Sequence, residues 1–388
     1  MNRNKLVFLV TSVALVSVLL TAALFAQASP TDHIYRYLSM FTEVFSLVRT
    51  NYVDQVESHQ LIDGAFSGVT DAIDEYSYYV PPASKAEYDR FLESQGSELG
   101  LVVSKRLGYA YVITVVDDSP ARLAGIVAGD FIERINGQLT TDLPLWKIQS
   151  ELRGNEGVVN LVVVSSGMTE RKDLALEKGP FERPEISLTE NGGVPIVRVP
   201  TFEEGTAEGL RTVLADLEER ESDRVILDLR QNGTGAIGEA IAAADLLLEG
   251  GTITSVSGRR IKPRTWEADR ESVFSGRVVV LIDQSTASAA EIFAAAIGGN
   301  DRGELVGVPT YGRAIEQRVV DLPSGGRLNV TVGHYTEPDL EAIAAKGVKP
   351  DVQISAAALA INRENGIDKD LILDRALSIL RPGSTTVN

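Results

Sequence analysis

The spacing of apolar residues changes along this chain, and each change marks a different kind of element. From Ile34 to Val48, the residues Ile34, Leu38, Phe41, Val44, Phe45 and Val48 recur at helical spacing, which predicts an amphipathic helix. Ser58 to Ile73 reads as a second helix. The run Asp74-Glu75-Tyr76-Ser77-Tyr78-Tyr79-Val80-Pro81-Pro82 ends it, because Pro81-Pro82 cannot continue a helix. A small helical cap without catalytic chemistry is expected here. From Gly96 to about Lys178 the pattern becomes one of short strands. Tyr109–Val116 and Phe131–Ile135 are two of them, Asn136-Gly137 is a hairpin turn signal, Leu143–Leu152 reads as a helix and Val158–Val164 as a closing strand. Gly179-Pro180 has the composition of a linker.

From Pro184 onward strands alternate with helices. Val194–Val199 is a strand and Thr206–Glu219 a helix. Arg224–Leu229 is an apolar strand of the kind buried on both faces, and Ile237–Leu248 is a helix. Val278–Ile282 is a second buried strand, followed by a helix from about Ser288 to Ile297 and a strand at Leu305–Val308. This alternation predicts an α/β core. There is no internal repeat and no low-complexity tract.

Charge and composition narrow the function. The 388 residues exceed one ordinary domain. With 37 basic against 54 acidic residues, the net charge of −17 argues against a nucleic-acid partner, since phosphate backbones are held by clustered Lys and Arg. The absence of cysteine excludes disulfides, thiolate metal sites and a Cys nucleophile. The three histidines, His33, His59 and His334, are scattered and form no zinc-binding pair, so no metal and no cofactor is expected. At the N-terminus, Arg3 and Lys5 precede an uncharged, mostly apolar run from Leu6 to Ala26, and Ala26-Gln27-Ala28 has the small-x-small form of a cleavage site. The run is also just long enough to span a bilayer, so a cleaved signal and an uncleaved membrane anchor are both consistent with it. Either way the remainder is expected to be exported.

Two stretches carry candidate chemistry. In Asp283-Gln284-Ser285-Thr286-Ala287-Ser288-Ala289-Ala290-Glu291-Ile292 a buried strand ends, a small-residue turn follows and an Ala-rich helix begins. A serine at that helix start would hold its oxygen near the positive end of the helix dipole, where developing negative charge is stabilised. Taken alone, the stretch is better explained by a plain N-cap serine. In Asp228-Leu229-Arg230-Gln231-Asn232-Gly233-Thr234-Gly235, glycine-rich backbone after a strand can expose N–H groups to an anion, or can simply be a tight turn.

Together these stretches resemble the carboxy-terminal processing (tail-specific) peptidases. Those enzymes carry Asp-Leu-Arg-x-Asn-x-Gly-Gly, then Ser-Ala-Ser-Ala-Ser-Glu-Ile, then Thr-Phe-Gly-Lys-Gly-x-x-Gln. The third segment here is Thr310-Tyr311-Gly312-Arg313-Ala314-Ile315-Glu316-Gln317. Asn51-Tyr52-Val53-Asp54, the run Ser119 to Asp130 and Gly347-Val348-Lys349-Pro350-Asp351-Val352 also occur in the family's order, so the resemblance covers about Phe41 to Ile354. It implies a ClpP/crotonase-like α/β peptidase core, an inserted PDZ domain and an N-terminal helical region. A crotonase-type acyl-CoA enzyme would share the core but would explain neither the PDZ segment nor the export signal.

By position, the resemblance puts Ser288 on the family's nucleophile, Arg313 on its lysine and Gln317 on its glutamine. The amide of Ala289 and one from Thr234 or Gly235 fall on the oxyanion hole, and Gly100-Leu101-Val102-Val103 falls on the PDZ carboxylate-binding loop. The departures lie around one site: the family's Gly-Gly is Thr234-Gly235, its Lys-Gly is Arg313-Ala314, and its last serine before Glu is Ala290. A buried lysine can lose its proton and act as general base, whereas arginine stays protonated. The expected partners are protein or peptide C-termini. The expected activity is that of a serine-type endopeptidase, or, because of Arg313, of a pseudopeptidase that binds peptides as an adaptor or regulator. The expected domains are a signal or anchor at 1–28, a helical region at 32–93, a PDZ domain at 96–178, the peptidase core at 184–355 and a C-terminal helical segment at 356–388. The expected location is periplasmic or otherwise extracytoplasmic. The sequence specifies no oligomeric state.

Overall fold

The structure is a computed structural model that describes residues 16–17, 31–93, 99–154, 157–165, 167, 170–355, 357–359 and 369–381. The Leu6–Ala26 run and the Ala26-Gln27-Ala28 site lie outside the described residues except for Val16 and Ser17. So do Gly96, where the strand pattern begins, and much of 356–388. No helix among the described residues is long and apolar enough to cross a membrane. The chain divides into a unit ending at Phe66 and a unit beginning at Ser67. The first holds α1 (Thr31–Asn51) and most of α2 (Ser58–Asp71). Helix α1 runs past the expected Ile34–Val48 at both ends, because nothing between Pro30 and Asn51 is a glycine or proline that would stop it.

In the second unit the expectation of a helical region up to residue 93 does not hold. The segment before residue 93 is not purely helical: β1 (Tyr78–Val80) precedes α3 (Lys85–Glu93) and pairs antiparallel with a strand of the core, Tyr79 opposite Leu328. Three residues are too few to show a period, so only the pairing partner reveals this strand.

The next elements form a module built on one six-stranded sheet. They are β2 (Leu101–Arg106), β3 (Tyr109–Val115), α4 (Pro120–Leu123), β4 (Phe131–Ile135), β5 (Gln138–Leu139), α5 (Leu145–Leu152), β6 (Val158–Val164) and β7 (Arg171–Glu177). Their sheet runs β2-β3-β4-β6-β7, with β5 paired to β4. Asn136 and Gly137 both take positive φ, 51° and 83°, as the tight hairpin between β4 and β5 demands. Helix α5 starts at Leu145 instead of the expected Leu143, because Leu143 precedes a proline and is extended at φ −106°, ψ 134°. Leu101, Val112, Ile132, Ile148, Leu152 and Leu161 belong to its own core.

The remaining elements build the α/β core. In order they are β8 (Ser187–Asn191), β9 (Val194–Arg198), α6 (Thr206–Glu219), β10 (Arg224–Asp228), α7 (Ile237–Asp245), β11 (Thr252–Ser257), β12 (Arg264–Glu267), β13 (Arg277–Ile282), α8 (Ala289–Gly299), β14 (Gly303–Gly307), β15 (Ile315–Asp321), β16 (Arg327–Thr336), β17 (Val352–Gln353) and α9 (Leu371–Leu380). Helix α7 is shorter than the expected Ile237–Leu248, since the chain turns after Asp245. The central sheet runs β17-β14-β13-β10-β9-β8, parallel except for β8. Strands β10 and β13 read as unbroken apolar runs because both faces are covered. Val225, Leu227, Val278 and Val280 pack with α6, α7 and α8, while Ile226, Val279 and Leu281 pack with α9. A second sheet, β1-β16-β11-β12 with β15 on β16, flanks this layer. Helix α8 is buried along Ala289–Ile297, as a helix apolar on every side must be.

Candidate active site

The buried strand β13 ends at Ile282 and the chain must turn at once to enter α8. Asp283 makes the turn: its carboxylate accepts the amide N–H groups of Ser285 at 2.9 Å, Thr286 at 3.0 Å and Gln231 at 3.2 Å. Burial pushes the Asp283 carboxyl above its ordinary range, and the amides of Gln231 and Ser285 pull it back. Ser288 closes the turn at φ 58°, ψ −115°, a conformation that costs a non-glycine residue about 1–3 kcal/mol. This strand–turn–helix corner sets Ser288 at the positive end of α8.

The glycine-rich loop after β10 lies against this turn. The Ala287 amide donates to the Asn232 carbonyl at 2.9 Å, and the Asn232 side chain donates to the Val199 carbonyl at 2.8 Å. Arg230 anchors the loop's other end, with Nε and Nη2 on Asp228 and Nη1 on Asp370 ahead of α9. Gly235 has φ 119°, and a Cβ there would sit 2.3 Å from the Phe202 carbonyl carbon, so this position must be glycine. Thr234 needs no such exemption. Its hydroxyl lies 2.9 Å from that of Thr201, and its carbonyl accepts the Phe202 amide at 3.1 Å.

One buried glutamate holds the site together. Glu291, wholly buried in the first turn of α8, accepts the Ser288 amide at 2.8 Å, the Thr310 hydroxyl at 2.5 Å and the amides of Gly312 at 2.5 Å and Arg313 at 2.7 Å. One carboxylate therefore fixes the serine's backbone and the whole turn that carries Arg313. Burial raises its carboxyl above the usual range against the pull of these donors. The Ser-x-x-Glu spacing of a capping box was the signal in the sequence.

Ser288, Arg313, Thr234 and Gly235 line one cavity of about 370 Å³, and Gly100, Leu101, Val102 and Val103 line the same cavity. The residues expected to be nucleophile, lysine position, oxyanion loop and carboxylate loop are thus brought together, with Ala289 buried directly behind Ser288. Gln149 and Arg153, from α5 and its end, close the cavity on the PDZ-like side. Gln317 is not among the lining residues; its side-chain amide donates to the Tyr76 carbonyl at 3.0 Å. Tyr76 in turn lies under the Arg313 guanidinium, 5.5 Å from ring centre to carbon, and the Tyr311 hydroxyl donates to Glu75 at 3.1 Å. The 74–80 segment, expected to be inert, therefore supports the turn that carries Arg313. No carboxylate among the described residues forms an ion pair with Arg313, and no group of three or more His, Asp or Glu among them is placed to hold a metal ion.

The strand module is pinned to the core beside the site. Arg198 of β9 pairs with Asp117 at 2.9 Å, Tyr111 stacks on Tyr311 at 6.0 Å, and Tyr111, Ile113 and Ala287 share a buried apolar cluster. Ala287 is the residue before the serine.

Residues 193–354 match the family described as peptidase family S41, and residues 111–165 match the PDZ domain family. The carboxy-terminal-processing protease of Bartonella bacilliformis is 27% identical over 358 residues, covering 90% of this chain and 82% of that protein. The carboxy-terminal processing protease CtpA of Bacillus subtilis is 26% identical over 315 residues, covering 80% of this chain and 67% of that protein. Among solved structures, a photosystem II D1 C-terminal processing protease superimposes with a TM-score of 0.67 at 24% identity, over 81% of this chain and 92% of its own, so the two share a fold.

Proposed function

This chain belongs to the carboxy-terminal processing peptidases, with a PDZ domain and a ClpP-like α/β core, and on that premise we propose that it is an exported serine peptidase that captures apolar C-terminal tails and cleaves the captured chain at Ser288. The observation that carries the proposal is the shared cavity: the carboxylate loop Gly100–Val103 and Ser288 face the same space. Backbone N–H groups of that loop would hold the terminal carboxylate while the tail adds as a strand beside β2. The Ser288 oxygen would then bond to a peptide carbonyl carbon while its proton passes to water. The resulting oxyanion would be met by the amide of Ala289 and one from Thr234 or Gly235; its collapse would break the C–N bond, the amine leaving with a proton taken from water, and a second water would hydrolyse the Ser288 ester to free the acid. Arg3, Lys5 and the apolar run after them support export to an extracytoplasmic site, by cleaved signal or retained anchor.

Arg313 stands where the family has its lysine. A guanidinium does not accept the serine's proton, so turnover by the unaltered chain is slow in this reading. One observation favours a second reading, in which the protein binds peptide termini without turnover. The Arg313 guanidinium has no carboxylate partner among the described residues and faces the nucleophile's cavity, where it suits a bound carboxylate better than a proton. Incubation of the full-length protein with an unfolded protein bearing an apolar C-terminal tail separates the two, with Ser288→Ala as control. Ser288-dependent cleavage supports the peptidase. Tail binding with no cleavage, equal to that of Ser288→Ala, supports the binding protein.

A further inference from the structure

We propose that Thr114, on the PDZ strand β3, is a positioning residue for the active site, tying the carboxylate loop to both the nucleophile turn and the oxyanion loop. Thr114 is 1% exposed and sits opposite Val102 in the β2–β3 pairing. Its hydroxyl donates to the Ser285 carbonyl at 2.8 Å, inside the turn that ends on Ser288. The same oxygen lies against Gly233: a Cβ built there would be 2.3 Å from it and 3.4 Å from the Ser285 carbonyl oxygen. Gly233 leads directly into Thr234 and Gly235. One buried hydroxyl therefore touches both loops, from a strand whose neighbour β2 lines the same cavity at Leu101, Val102 and Val103.

The chemistry explains why this contact matters. The turn at 283–288 and the loop at 229–235 are already cross-linked by the Ala287 amide on the Asn232 carbonyl and by the Thr286 hydroxyl on the Leu229 carbonyl, 2.9 Å each. These bonds fix the two loops to each other. The apolar contact of Ala287 with Tyr111 and Ile113 fixes them to the PDZ domain, and the Thr114 hydroxyl adds a directional bond at the point where a carbonyl buried away from water needs a donor. Ser285 is 2% exposed, so loss of that donor leaves its carbonyl without solvent to replace it. A shift of β2 on taking up a peptide terminus then reaches the serine through Val102, Thr114 and Ser285. The inference rests on the peptidase reading for its catalytic consequence and on geometry alone for the coupling.

The test compares the full-length protein with Thr114→Val, which keeps the shape and loses the hydroxyl, and with Thr114→Ser, which keeps the hydroxyl. Amide hydrogen exchange is followed at 231–236 and 284–289, with β6 and β7 as a folding control. Labelling of Ser288 by a fluorophosphonate is followed in the same proteins and in the Arg313→Lys background. The expected result is about tenfold faster exchange in both loops of Thr114→Val, with β6 and β7 unchanged, and recovery in Thr114→Ser. Labelling of Ser288 is expected to fall by a similar factor and to recover likewise. Exchange in Thr114→Val equal to the parent at both loops overturns the proposal. If no protein is labelled, including Arg313→Lys, the peptidase reading fails, and the exchange result still decides the coupling.

Discussion

The Glu291 carboxylate takes the amide of Arg313 at 2.7 Å while it also holds the amide of Ser288, so Ser288 and Arg313 are built on one buried side chain. Replacing Glu291 by Gln keeps the shape and puts an NH2 group among amide donors that have no other acceptor. Loss of about 1–3 kcal/mol of stability is expected, read as a lower denaturation midpoint. Fluorophosphonate labelling of Ser288 should fall with it. A variant as stable as the parent would show that the Thr310–Arg313 turn is held by something else.

Arg313→Lys is expected to raise peptide turnover by about 10²–10⁴-fold, the usual worth of general-base assistance. A lysine works only once it has lost its proton, so the gained activity should climb with pH, and this limb should be absent from the parent. Thr234 and Ala314 also depart from the family pattern, so a triple variant with Thr234→Gly and Ala314→Gly is the stronger test. A parent that already turns over as fast as the variants contradicts the role given to Arg313.

Gly235→Ala tests the loop itself. The added Cβ meets the Phe202 carbonyl carbon at 2.3 Å, and φ of 119° is unfavourable for alanine, so backbone must shift. Removing one oxyanion donor costs about 10²–10³ in rate. In the Arg313→Lys background a loss of that size is expected with tail binding unchanged. Unchanged turnover would move the oxyanion hole elsewhere.

Binding to the PDZ domain should need a free carboxylate. Hydrogen bonds to a charged group are worth about 1.5–3 kcal/mol, so amidating an apolar peptide's terminus is expected to weaken binding about 10- to 100-fold in calorimetry. Gly100→Ala should do the same to the free peptide, because its Cβ would fall 2.2 Å from that of Ser119 and φ there is +70°. Equal affinity for amidated and free peptides would remove the carboxylate-loop assignment.

The sequence by itself determined the elements whose signal is local. The apolar runs at Val225–Leu227 and Val278–Ile282 announce strands buried on two faces, because a parallel sheet covered by helices has no polar side to show. The small residues around Ser288 and the glycines of 233–235 announce turns that only such residues can make. From the order of those motifs the family, its α/β core and the PDZ insertion were legible, and the same motifs singled out Ser288 and Arg313, which line one cavity. What the tertiary structure decided is everything that depends on residues distant in the chain. Tyr78–Val80 becomes a strand only because β16 offers it an edge. Tyr76, from a segment read as an inert cap, meets Arg313, and Gln317 turns to the Tyr76 carbonyl, outside the cavity of Ser288. Thr114 reaches Ser285 across 171 positions. No periodicity encodes such meetings, since they are set by how three sheets pack and not by the spacing of residues within any one of them.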